Sequence, residues 1–343
     1  MTAASAPAPE TSPPKRRRIF GRDTRTAYLY IIPALLVMAT ITFYPLVFQT
    51  AISFFDYRLP NIISTPAFPG GRPADFIGFE NYLRIINDQL GIPNFHFFRM
   101  LFFNIFWAFS NVVIHIIIGV GVAVLLNTRG LWGRGIYRAI YIIPVVIPPI
   151  IVATVWRNMF DTSDGAINQS LTGLGALFHI PGEAFQIDWL RQIQDPISFI
   201  PLPLAYFALL TANTWLGWPL NSVVATGALQ SIPGELYEAA EMDGASGWQK
   251  FRHITIPFLR PAMIPYAVYG FVVTFNLFYL TYFMTAGEPR GRTELLVTQA
   301  FRLVNDRQLF GVAAAFSVFM FFILLTITLL FNRVTKATAS YDT

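Results

Sequence analysis

The residues best suited to chemistry lie in one polar stretch, 238–261, which reads E-A-A-E-M-D-G-A-S-G-W-Q-K-F-R-H-I-T-I-P-F-L-R-P. It carries both signs of charge at helical spacing and is flanked by long uncharged apolar runs. Such a segment belongs in water, and its chemistry is non-covalent: a short exposed helix docks another protein. A helix is predicted over 235–242, with Glu235 and Glu238 in its first turns, where acids suit the positive end of the helix dipole. Gly244 is placed to cap it. A second helix is expected over 246–254 with Trp248, Phe251 and Ile254 on one face, and Pro257 and Pro261 punctuate the entry to the next apolar run.

Other chemistries are missing. A phosphate-cradling P-loop needs Gly-Lys-Ser/Thr, and none of the three lysines, Lys15, Lys250 and Lys336, follows a glycine. Energy from ATP, if used, must come from a partner. The four histidines, His96, His115, His179 and His253, show no metal-ligand spacing. The chain has no cysteine, which excludes disulfides and thiolate metal sites. No catalytic residue and no cofactor is expected in the chain itself.

The elements that must position these residues are membrane spans. Apolar residues make up 54% of the 343, charged residues only 13%, and the mean hydropathy is +0.51. A crossing helix needs about 20 apolar residues. Six uncharged runs approach that length, at 27–48, 100–126, 139–156, 202–230, 262–286 and 308–332. The third holds Pro144, Pro148 and Pro149 and is expected to be kinked or broken inside protein. The expected fold is therefore all-α, a polytopic bundle of six transmembrane helices. No Asp, Glu, Lys or Arg falls inside these runs, which argues against a carrier working by intramembrane proton relays.

Placing the N-terminus inside puts 14 of the 24 basic residues on the inner side with 7 of the 19 acids. By the positive-inside rule both termini and the 238–261 segment are cytoplasmic. Residues 1–18 end in Lys15-Arg16-Arg17-Arg18, and 1–26 reads as a disordered basic cytoplasmic tail. The basic run is a topology signal, so no nucleic acid is expected as a partner.

The polar stretch resembles the E-A-A loop of permease subunits of binding-protein-dependent ABC importers. The pattern is met by Glu238, Ala239, Ala240, Gly244, Ile254, Ile256 and Pro257. The resemblance continues at Gly78, Asn81 and Tyr82; at Leu125, Leu126, Asn127, Gly133, Arg134 and Arg138; at Ile143 and Pro144; and at Trp156, Phe160, Asp161, Gly165 and Asn168. Asn213-Thr214-Trp215-Leu216-Gly217, Pro219, the stretch from Gly227 to Pro233 and Thr293-Glu294-Leu295-Leu296-Val297 are similar to the larger permease subunit of maltose importers. It covers about residues 27–336.

This resemblance implies a type I importer permease domain over 27–336, with its core at 97–332 and a cytoplasmic coupling loop at 231–261. It implies an inner-membrane, multi-pass subunit that translocates a carbohydrate, an oligosaccharide or disaccharide, by alternating access. The implied partners are a second homologous permease subunit, an ATPase dimer that binds ATP and Mg, an extracytoplasmic sugar-binding protein and the lipid bilayer. Coupling would fall to Glu238, Ala239, Ala240, Asp243, Gly244, Phe251, Ile254 and Pro257, and sugar contact to Asn213, Leu216, Gly217, Thr274 and Asn276. A phosphorylated polyol such as glycerol phosphate is the second substrate class considered, and a self-sufficient carrier the third reading.

Overall fold

The computed structural model describes residues 22–63, 65, 69–128, 130–197 and 200–335. The basic run 15–18, Arg129 and Lys336 lie outside the described residues. The chain divides into two units, 1–51 and 52–343.

In the first unit, α1 (Arg22–Met38) leads through a π-turn (Ala39–Phe43) into α2 (Tyr44–Ile52). Helix begins at Arg22, and the apolar span itself at Thr26. The π-turn has a cause in sequence. Pro45 cannot donate a backbone hydrogen bond, and its ring would collide with the carbonyl four residues back. Just ahead of it, the Tyr44 N–H reaches five residues back to Ala39 O. Thr26–Ile52 forms one apolar helix of 27 residues, long enough to cross a membrane.

The second unit contains α3 (Glu80–Ile86), α4 (Phe97–Leu126), α5 (Arg134–Tyr141), α6 (Ile143–Val146), α7 (Pro149–Met159) and α8 (Ala166–Leu177). It continues with α9 (Leu204–Gln230), α10 (Gly234–Met242), α11 (Gly247–Lys250), α12 (Ile256–Phe275), α13 (Phe278–Met284), α14 (Leu296–Asn305) and α15 (Phe310–Thr335). Among the described residues there is no strand, and an isolated bridge joins Phe55 and Phe76. The fold is all-α, as expected.

The six expected spans differ in how far they meet the demands of length and apolarity. Among the described residues, four helices are long and apolar enough to cross a membrane: Thr26–Ile52, Phe97–Leu126, Gly247–Met284 and Phe310–Thr335. The Arg134–Val146 and Pro149–Met159 pair makes a fifth if it counts as one span, and it bends by 94°. Ile147 and Pro148 are extended there, which is the break anticipated from the three prolines. The sixth expected span, α9, has the length, about 40 Å for its 27 residues. It lacks the apolarity, because Asn213, Asn221, Ser222 and Thr226 interrupt it. All four are buried against protein.

Several residues that carried the family resemblance prove to be fasteners. Asn81 is fully buried, and its Nδ2 donates to Ser53 O and Phe55 O, both at 2.9 Å. Tyr82 shares a 2.6 Å hydrogen bond with Ser53 Oγ. Asn168 Nδ2 donates to Thr162 O and Ile187 O, while its Oδ1 accepts from Trp189 Nε1. Asp161 accepts from the backbone of Ser163 and Asp164, which holds its carboxyl below the usual range. Glu294 is mostly buried beside Arg302 at 3.1 Å; burial pushes its carboxyl up and the arginine only partly offsets this.

Candidate functional site

The polar hairpin forms as its sequence predicts. The α10 helix ends in a Schellman motif: Gly244 N–H bonds Glu241 O at 3.0 Å and Ala245 N–H bonds Ala240 O at 2.9 Å. This requires a left-handed residue, and Gly244 has φ +76°. The α11 helix starts on a capping box, with Gln249 N–H donating to Ser246 Oγ and Ser246 N–H to Gln249 Oε1. Glu238, Ala239, Asp243 and Gly244 are all exposed on this hairpin, as are Met242 and Trp248. Ala240 and Phe251 are half-buried, with Phe251 ringed against Trp248 at 5.6 Å. Ile254 packs on a buried cluster that includes Ala123, Ala225, Leu259 and Met263.

The expected punctuation at Pro257 is not a break, which corrects the sequence reading. Instead α11 runs through a second π-turn (Phe251–Thr255) directly into α12, so the helix runs unbroken from Gly247 to Phe275. Ile256 N–H bonds Phe251 O, five residues back, just ahead of Pro257. This repeats the solution used before Pro45. Tyr237 of α10 latches to the π-turn through a 2.9 Å bond between its hydroxyl and Thr255 Oγ1. The exposed hairpin is thereby fixed to the end of a membrane-crossing helix.

The second set of polar residues lies on a seam between α4 and α9. Four residues spaced by four on α4, Asn111, His115, Gly119 and Ala123, meet Asn213, Gly217, Asn221 and Ala225 on α9. Asn213 Nδ2 donates to Asn111 Oδ1 at 2.7 Å, and His115 Nε2 bonds Asn213 O at 3.0 Å. A Cβ built on Gly217 would overlap the His115 ring, and one on Gly119 would overlap Asn221. Small residues let the two backbones approach, as in membrane helix pairs generally. Asn213 is 4% exposed, so its amide serves the seam rather than open space. Gly217 serves the same seam, and Leu216 packs half-buried on the cluster around Tyr206 and Leu209.

Thr274 and Asn276 sit elsewhere, at the end of α12. Thr274 is buried, whereas Asn276 is exposed. Asn276 Nδ2 bonds Val272 O at 3.0 Å, and its own backbone leaves the helix, with Leu277 at ψ 82° before α13 resumes. The structure thus brings Thr274 and Asn276 together at a helix break, and Leu277 of that break packs in the same cluster as Ala212 and Leu216 of α9. The two broken helical paths meet, because α13 packs against α7. Asn104, absent from the sequence reading, secures this region. Fully buried on α4, it donates to Phe275 O at 3.0 Å and accepts from Leu296 N at 2.8 Å. It caps the end of α12 and the start of α14 together. The readable signal was an amide, one of two with Asn111, in an otherwise apolar run. No group of three or more His, Asp or Glu able to hold a metal occurs among the described residues.

Residues 115–339 match the family described as binding-protein-dependent transport system inner membrane component. The chain is 32% identical to the maltodextrin transport system permease protein of Bacillus subtilis, over 90% of this chain and 68% of that one. It is 31% identical to the trehalose/maltose transport system permease protein of Thermococcus litoralis, over 91% and 94%. In fold it is similar to a chain of a bacterial ABC transporter that imports alginate, with a TM-score of 0.70 at 18% identity, covering 93% of this chain and 98% of that one. With two thirds of its length matched and its helices laid out as in that transporter, the chain belongs to the binding-protein-dependent transport system inner membrane component family.

Proposed function

We propose that this chain is one of two permease subunits of an ATP-driven importer for an oligosaccharide or disaccharide. The observation that carries the reading is the exposed α10–α11 hairpin fixed without a break to α12. A separate ATPase subunit, which binds ATP and Mg, grips the hairpin through Glu238, Ala239, Ala240, Asp243, Gly244 and Phe251. Ile254 and Pro257 lie where the hairpin joins the membrane helix. Closure of the ATPase pair moves the hairpin, and the continuous helix carries the motion to the break at Asn276. There the substrate path opens to one side or the other, and an extracytoplasmic binding protein delivers the sugar. The sugar class is supported by the relatives named for maltodextrin, for trehalose and maltose, and for galactooligosaccharides.

Within this reading Asn276 contacts the sugar. Its Nδ2 is engaged by Val272 O, which leaves Oδ1 to accept from a sugar hydroxyl. Exposed Tyr279, three residues on, offers an aromatic face. Thr274 supports the break from its buried side, while Asn213, Leu216 and Gly217 hold the seam behind it. Asn276→Ala is expected to reduce uptake of labelled maltodextrin about 2- to 12-fold, the equivalent of one net hydrogen bond, with assembly unchanged. Unchanged uptake kinetics would remove Asn276 from the path.

Orientation follows the charge bias, with both termini and the hairpin cytoplasmic. Because the chain has no cysteine, single cysteines report cleanly. Ser163→Cys and Met242→Cys lie at exposed positions, and Met242 spares the Ser246 cap. They are expected to label from opposite faces of the membrane; labelling from one face would overturn the topology.

A further inference from the structure

The α5 helix is amphipathic. Ile136, Tyr137 and Ile140 are exposed, as is Ile143 at the start of α6. The α5–α6 stretch also turns 94° away from α7. A short basic helix with an exposed apolar face suits a membrane interface. Its other face closes a cavity of about 490 Å³ against the end of α9, lined by Arg138, Tyr141, Ile142, Val223, Thr226 and Gln230 among others.

Two polar residues of this cavity carry unsatisfied groups. Arg138 Nε and Nη2 are buried without an acceptor, and so is the Thr226 hydroxyl. Thr226 is 7% exposed. Other helix hydroxyls here, on Thr154, Thr211 and Ser317, bond the carbonyl four residues back. Thr226 does not. Buried polar groups without partners are costly, and both residues border one cavity that no acidic side chain lines. The Nε–Nη2 edge of a guanidinium is the one that grips two oxygens of a phosphate or carboxylate.

We infer that this cavity binds the phosphate of a phospholipid headgroup, in the leaflet on the side of the α10–α11 hairpin. Arg138 holds two phosphate oxygens, and Thr226 donates to one of them. Ala139, Ile142 and Val223 make the remaining wall apolar, and Ile136, Ile140 and Ile143 offer acyl chains a surface outside it. Free phosphate would gain nothing from those walls, whereas a lipid ester uses both parts. Basic pockets between membrane helices recognise headgroups in this way. The inference does not depend on which solute is carried.

The test uses the complex extracted with its copurifying subunits, stripped of lipid and titrated with dioleoyl phosphatidylglycerol, with bound lipid read by native mass spectrometry. The wild type should take up lipid saturably. Arg138→Gln should weaken this site at least about tenfold, as expected for a charged hydrogen bond, and Thr226→Val about threefold, as for a neutral one. Equal binding by all three proteins would overturn the inference. So would competition by inorganic phosphate as strong as that by lipid. A wild type that binds no lipid saturably, because another subunit's carboxylate already fills the cavity, would also overturn it. Thr226→Val keeps the test decisive if Arg138→Gln fails to assemble.

Discussion

Gly217→Ala is expected to break the protein at its centre. The new methyl would overlap the buried His115 ring, which is held to Asn213 O at 3.0 Å. The ring cannot swing aside without losing that bond, and α4 and α9 cannot part without losing the Asn111–Asn213 bond. Overpacking costs about 1–3 kcal/mol, and a membrane hydrogen bond adds about 1 kcal/mol. For a domain of this size that lowers the melting temperature by roughly 5–10 °C. Gly121→Ala is the control, since a Cβ there meets nothing within 4 Å; it should be neutral or slightly stabilising, given alanine's helix propensity. Removing the ring in the double variant Gly217→Ala, His115→Ala should recover part of the loss, because residues in contact do not add independently. Equal melting of Gly217→Ala and wild type would contradict the seam.

Gly244→Asp is expected to spare the fold and abolish coupling. Gly244 has φ +76°, and a Cβ there meets no atom within 4 Å. The cost is therefore backbone strain alone, about 1 kcal/mol or more, with added repulsion from Asp243. Such a cost cannot unfold the chain, but it can reorient α11 against α10. ATP hydrolysis stimulated by substrate should fall at least about tenfold, matching a loss of roughly 1.4 kcal/mol or more in hairpin docking. Asparagine tolerates the left-handed region better than other side chains. Gly244→Asn should retain more coupling than Gly244→Ala if backbone geometry is the cause. A well-expressed Gly244→Asp protein with normal uptake would remove the hairpin from the coupling path.

The parts of the molecule legible in sequence were those written in local chemistry. The hairpin could be read because acids and a glycine mark the ends of one helix and Trp248, Phe251 and Ile254 mark a face of the next. The break between α6 and α7 could be read because Pro148 and Pro149 forbid continuous helix. What escaped was non-local. The seam is a repeat of small and amide residues every four positions on two helices about 100 residues apart. Either half alone looks like an ordinary apolar helix with two scattered asparagines. Asn213 therefore invited a substrate role, whereas its amide is bonded within the seam. Pro257 read as a stop because a proline normally interrupts helix, yet the π-turn before it absorbs the defect. Residue type also could not tell buried Thr274 from exposed Asn276, because only the turn after Phe275 separates their environments.

The central claim is that this chain moves a carbohydrate only as part of a complex driven by a separate ATP-hydrolysing subunit docked on the α10–α11 hairpin. The most direct measurement is purification of the tagged chain from its native membrane, followed by identification of the copurifying chains and reconstitution into vesicles. The account predicts that a P-loop-bearing ATPase copurifies with wild-type chain, that Gly244→Asp loses it or its stimulation by substrate, and that labelled maltodextrin crosses only when ATP is supplied. A chain that purifies alone and equilibrates sugar without ATP would contradict it.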